Sequence, residues 1–211
     1  MTVETQPLRA DAKRNLERVV EAAHEVFGEQ GIDAPISAIA ERAGVGMGTI
    51  FRRFPFKDEL LAAVLLHRGD QLSAALREAL AADDAGRAFS DFLAGGIEAQ
   101  VQDRYLCDAI GTDLLAREDV AALFDEAHTG LAQLLRRAQD EGAIRQDVTV
   151  EDLLFVVHGV AHVGLMLEEV APGAWRRHLG LALDGLRPEA ATPLPRRPIS
   201  RPQFLAARCG S

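Results

Sequence analysis

Cysteine, lysine, aromatic rings and strand-like alternation are all scarce in this chain. Its 211 residues hold two cysteines, Cys107 and Cys209, which form neither a CxxC pair nor a disulfide framework, and this usage fits a reducing cytoplasm. Only two basic residues are lysines, Lys13 and Lys57. No segment alternates β-branched and polar residues, so no strand is predicted. The longest apolar run, Leu153 to Leu167, is interrupted by His158 and His162. It reads as too short and too polar to span a bilayer, which predicts no membrane partner. The polar start, Met1 to Ala12, has no apolar core of a signal peptide. There is no GxSxG, no phosphate-binding loop and no paired-carboxylate motif, which argues against an enzyme; no cofactor and no metal are implied.

What is present is a helical period almost throughout. With 48% hydrophobic and 26% charged residues, the composition is that of a globular protein with a sizeable core. Leu16, Val19, Val20, Ala23, Val26 and Phe27 recur at three- and four-residue steps, and Gly31 stops the pattern. Pro35 suits the start of a second short helix, which Gly44 ends. A third runs from Met47 to Phe54, where Pro55 breaks it. A long fourth helix begins at Lys57 and runs to about Asp83, with Leu60, Leu61, Val64, Leu65, Leu72 and Leu76 inward. Further helices are predicted near 86–102, 104–115, 119–142, 149–170 and 174–186. The prediction is an all-α fold of about nine helices. From Arg187 onward five prolines exclude a regular helix, leaving an extended or loose tail.

Charge divides the chain. Formal net charge is −9. Such acidity alone argues against a nucleic-acid partner, whose phosphates call for Lys and Arg. The imbalance is local, however. Residues 1–66 carry 8 basic against 10 acidic groups, residues 67–186 carry 10 against 21, and residues 187–211 carry 5 against 1. Between Arg42 and Asp58 there is no acidic residue, while Arg52, Arg53 and Lys57 fall in or beside that gap.

The gap coincides with the most informative stretch, ISAIAERAGVGMGTIFRRF (Ile36 to Phe54), which has the layout of a helix-turn-helix. Ala40 is small enough for two helices to approach. Gly44 can adopt positive φ in the turn. Ile50 plugs the shared core, and Val45 and Phe54 seal its ends. The outer face of the third helix then carries Met47, Gly48, Thr49, Arg52 and Arg53.

These residues, with AAHEVFGEQG (Ala22 to Gly31) and FKDELLAAV (Phe56 to Val64), resemble the tetracycline-repressor (TetR) family of transcriptional regulators, actinobacterial members most of all. The resemblance covers about the first 65 residues. Gly142 to Leu154 (GAIRQDVTVEDLL) is also similar to the C-terminal domains of one subgroup. The resemblance implies a helix-turn-helix domain over 1–56, an effector-binding and dimerisation domain over 57–186, and a Pro/Arg-rich tail over 187–211. It implies DNA contacts at Ser37, Met47, Gly48, Thr49, Phe51, Arg52, Arg53 and Lys57. Arginine can read guanine, and a lysine at a helix start suits a backbone phosphate. Met47 could equally fill the core, and Phe51 could pack rather than touch DNA. Three positions depart from the family pattern: Phe51 replaces a tyrosine, Gly46 a serine, and Ala34-Pro35 a Ser/Thr pair.

For the acidic part, the resemblance implies a small-molecule effector and a homodimer on a palindromic operator of double-stranded DNA. Candidate pocket residues are Phe89, Phe92, Ile110, Leu114, Phe124, Leu131, His158, His162 and Met166. The spacing of His158 and His162 could chelate a metal, but no further ligand completes a set. Candidate dimer residues are Leu153, Val157, Val160, Trp175, Leu179 and Leu183, on two apolar helices that could form a four-helix interface. The expected function is a ligand-responsive repressor. The alternatives are a TetR-like activator or a DNA-independent helical partner-binding protein, then a helical-bundle enzyme.

Overall fold

The computed structural model describes residues 5–103, 105, 114 and 117–208. Nine α-helices and no strand occur among the described residues: α1 (Thr5–Gln30), α2 (Ile36–Ala43), α3 (Met47–Arg53), α4 (Lys57–Ala81), α5 (Ala85–Gln102), α6 (Glu118–Asp140), α7 (Val150–Leu167), α8 (Trp175–Gly185) and α9 (Arg201–Arg208). The expected 104–115 helix and Ile110 lie outside the described residues.

Two apolar cores follow from the helical periods. The first joins α1, α2, α3 and the start of α4, through Val20, Phe27, Ile39, Ile50, Phe54, Leu60 and Val64, and it also takes in Tyr105, Leu114 and Val120. The second joins the far end of α4 to α5, α6, α7 and α8, through Leu76, Phe89, Leu93, Ile97, Leu134, Leu153, Trp175 and Leu179. Helix α4 therefore belongs to both. Its neighbour α6 crosses it closely because small residues face large ones in both directions. A Cβ on Gly69 would lie 2.2 Å from a methyl of Leu123, and one on Gly130 would lie 2.0 Å from a methyl of Leu76. Leu72, expected inward, is on the exposed side of α4.

The turn between α6 and α7 is held by polar groups rather than apolar ones. The buried Gln139 amide donates to the carbonyls of Arg145 and Val148 at 3.0 and 3.1 Å. Thr149 and Asp152 then cap α7 reciprocally, each side chain meeting the other's backbone N–H. Helix α7 has 18 residues and, unlike the shorter apolar run from Leu153 to Leu167, is long and apolar enough, by length and composition, to cross a membrane. Leu153, Val157, Ala161 and Gly164 are buried within the subunit, as in the core helix of a globular bundle.

The tail departs from expectation. Its prolines do keep residues 191–200 out of helix, but α9 forms beyond them, with Pro202 in its first turn where the missing N–H costs no intrahelical bond. The tail is tied down at both ends. Arg145 donates to the Thr192 carbonyl at 2.5 Å. Arg201 pairs with Asp125 of α6, and the buried Phe204 ring meets Phe155 of α7, centroids 6.0 Å apart.

Candidate nucleic-acid interface

The helix-turn-helix is built from its turn. Gly44 takes φ 66°, ψ 37°, the left-handed region that an L side chain rarely adopts. Its N–H and that of Val45 close onto the last carbonyls of α2, Val45 to Ala40 at 3.0 Å. Arg18 of α1 donates to the Ala43 carbonyl beside it. Pro35 and Gly46 are the N-cap residues of α2 and α3, both extended, and neither supplies a side-chain cap. The turn and Ile50 set the angle of α3 instead: Ile50 is 1% exposed in the shared core.

With Ile50 inward, the other side of α3 is solvent-facing. Met47, Gly48, Phe51, Arg52 and Arg53 are exposed, Thr49 is half-buried, and Ser37 on α2 is exposed. Phe51 is therefore not core packing, and Met47 is not core filler. Ala40, Ile50 and Phe54 are buried, and Val45 is half-buried against the same core. The Arg53 guanidinium stacks over Phe54, 5.6 Å from its centroid, and the Lys57 ammonium lies 6.0 Å from the centroid of the buried Phe27. No described carboxylate lies within ion-pair distance of Arg52, Arg53 or Lys57. Arg42, by contrast, is spent on α1. It donates to Glu25 at 2.9 Å and to Glu29 at 2.7 and 3.0 Å, and its hydrogen bond holds the Glu29 carboxyl below the usual range. Glu25 and Glu29 are thus drawn to Arg42, and Arg52, Arg53 and Lys57 stay available to phosphates and base edges.

The comparisons decide the family. The model of bacterial regulatory proteins of the tetR family matches residues 19–64, and that of the SbtR-like transcriptional regulator C-terminal domain matches residues 84–188. The TetR transcription regulatory protein from Mycobacterium vanbaalenii is 33% identical, with a TM-score of 0.67 over 86% of this chain and 99% of that one. This chain belongs to the TetR family of transcriptional regulators. The TetR regulator SCO0520 from Streptomyces coelicolor is 27% identical, with a TM-score of 0.66 over 82% of this chain and 98% of that one. The transcriptional regulator UidR from Escherichia coli K12 is 28% identical over 173 residues, 76% of this chain and 83% of its own. The function is thus transcriptional regulation through a helix-turn-helix.

The candidates in the TetR C-terminal domain fare differently. Phe89 and Leu131 are buried in the second core, with Phe92 against it; Leu114 and Phe124 belong to the first. His158 sits beside Phe204, centroids 6.4 Å apart, while His162 and Met166 face solvent. The described ones are divided between the two cores and the surface. Two hollows among the described residues lie elsewhere: about 520 Å³ at Arg117, Glu118, Asp119 and Ala122, and about 410 Å³ between α7 and the tail, lined by Asp152, Phe155 and residues 194–199.

The dimer candidates need correction. Leu153, Val157, Trp175 and Leu179 are buried inside the subunit, with Val160 and Leu183 half-buried against the same core. Leu153, Val157, Trp175 and Leu179 hold α7 and α8 to α5 and are not available to a partner, while Val160 and Leu183 keep part of their surface exposed. The apolar face left exposed is the opposite one: Phe155, Gly159, Val163 and Met166 on α7, with Gly180 and Leu181 on α8. A helix apolar all round gives no periodic signal to choose between its faces.

Proposed function

We propose that the chain is a homodimeric, ligand-responsive repressor in the cytoplasm, acting without a cofactor or enzymatic activity. One observation carries the DNA-binding surface. A single short helix buries Ile50 and turns two arginines, a methionine and a threonine outward, beside a lysine and with no acid among them. Arg52 and Arg53 supply base or phosphate contacts, Lys57 and Ser37 hold backbone phosphates, and Met47 and Thr49 meet base edges.

The dimer forms through the exposed α7–α8 face. Gly159 and Gly180 carry no side chain to hold a neighbouring helix away, and Val163, Met166 and Leu181 supply apolar area around them. Two-fold pairing sets two recognition helices about one DNA turn apart, so the operator is a palindrome. A small effector bound within the C-terminal domain releases DNA by favouring a different spacing of the heads, which requires only differential affinity for two states.

Footprinting on the DNA upstream of its own gene tests this reading. The expected result is a protected, two-fold symmetric site with half-sites one turn apart. Absent or sequence-independent protection would refute it.

A further inference from the structure

Beneath α1, the DNA-binding head meets the body through a polar joint centred on one carboxylate. Asp103 is 5% exposed and caps the C-terminus of α5, its N–H donating to the Ala99 carbonyl at 2.9 Å. One of its oxygens accepts from Arg68 of α4 at 2.6 Å. The other lies 3.5 Å from Nε2 of His24 on α1. The second nitrogen of that ring, Nδ1, is 2.7 Å from the hydroxyl of the fully buried Tyr105. Three helices thus converge on Asp103: α1 of the head, α5 of the body, and α4, which spans both.

The surroundings make the arrangement directional. A carboxylate buried this deeply is tolerable only while its donors are delivered to it. Losing either α1 or α4 from the joint leaves it under-bonded. The other charged or titratable groups at the site are Glu21 of α1, 3.6 Å from His67 of α4, and the Tyr105 phenol, which burial holds protonated well above its ordinary range. Gln71 links His67 to Arg68, donating to the first at 3.2 Å and accepting from the second at 2.5 Å. The Tyr105 ring also packs on Phe27, centroids 5.9 Å apart, and it is over Phe27 that the Lys57 ammonium sits. A continuous path of contacts therefore runs from Asp103 to the start of α4 beside the DNA-facing surface.

We propose that His24, Arg68 and Asp103 are positioning residues that fix the orientation of the head on the body, and hence the spacing of the two recognition helices. None of them touches DNA. The consequence for the operator rests on the regulator reading above, but the joint itself is a property of one chain. The Tyr105 hydroxyl bonds Nδ1, which leaves Nε2 to face the Asp103 carboxylate at ion-pair distance.

Electron–electron distance measurements test this without operator or effector. Spin labels are placed at Glu41→Cys on α2 and Gln133→Cys on α6, in a chain carrying Cys107→Ala and Cys209→Ala. Dilution with unlabelled protein leaves one labelled chain per dimer. The parent should give one narrow distance distribution, and His24→Ala and Asp103→Ala should broaden it. His24→Gln should restore it, since its carbonyl can accept from Tyr105 and its amide can donate to Asp103. Unchanged distributions in both alanine variants, or a His24→Gln distribution as broad as that of His24→Ala, would overturn the proposal. DNA binding is measured separately. A parent with a narrow distribution that binds no operator fails the regulator reading alone, and a parent that binds operator while both alanine variants keep its distribution fails the joint alone.

Discussion

Replacing Val163 and Met166 together by glutamine should dissociate the dimer and leave the subunit folded. Within the subunit these side chains are 45% and 72% exposed, which leaves just under half of Val163 and most of Met166 for a partner to bury. Full burial of a Val or Met side chain is worth roughly 2–2.5 kcal/mol. The exposed fractions then correspond to about 2.7 kcal/mol per subunit, and to about 5 kcal/mol across a two-fold interface in which each residue appears twice. At about 1.4 kcal/mol per decade, the dimer dissociation constant should rise by roughly 10³- to 10⁴-fold. Analytical ultracentrifugation over a nanomolar-to-micromolar range reads this directly. Thermal melts of the same variant should show little loss of subunit stability beyond that due to dissociation. Leu153→Ala is the contrasting case. Leu153 lies on the buried face of the same helix, and its truncation should cost about 2–5 kcal/mol of folding stability with little direct effect on self-association. A double glutamine variant that stays dimeric at the parent's dissociation constant would refute the assignment of this face.

Gly44→Ala should destabilise the head by about 1–2 kcal/mol, because φ 66° is costly for an L residue and the new Cβ would lie 3.0 Å from Arg18 Nη2. Urea unfolding with an unshifted midpoint would contradict that geometry. Glu151→Gln tests the α6–α7 contact. Burial raises the Glu151 carboxyl, but the 3.0 Å hydrogen bond from His128, the backbone and Thr149 hydrogen bonds and the His128 charge together outweigh it, and the net shift is downward. A lowered carboxyl contributes stability above its ordinary range and loses it as pH falls through the lowered value. The variant should therefore melt below the parent at neutral pH, and the gap should close below about pH 4. A pH-independent gap would exclude the mechanism.

The sequence made the helix-turn-helix legible because its constraints are local. Gly44 must be left-handed, Ala40 small and Ile50 apolar, and each requirement names a residue type at a fixed spacing. The faces of α7 were not legible, since Leu153, Val157, Val163 and Met166 are equally apolar and only the packing of α5 and α8 decides which pair turns outward. Helix α9 was hidden by composition: the prolines that interrupt residues 191–200 dominate the reading, while Phe204 is anchored by residues some fifty positions away. The Asp103 joint left no motif, because its donors come from α1 and α4, distant in sequence. The net charge of −9 misled for a related reason: it averages an acidic body with a recognition surface that holds no acid.

Fluorescence anisotropy with labelled duplex from the chain's own upstream region tests the central claim most directly. The parent should bind this duplex in preference to a random one, with affinity falling steeply as salt rises. Arg52→Ala and Arg53→Ala should each weaken binding, a base-reading arginine by about 1–3 kcal/mol and with relaxed sequence preference. Equal affinity for both duplexes, or arginine variants that bind as the parent does, would contradict the account.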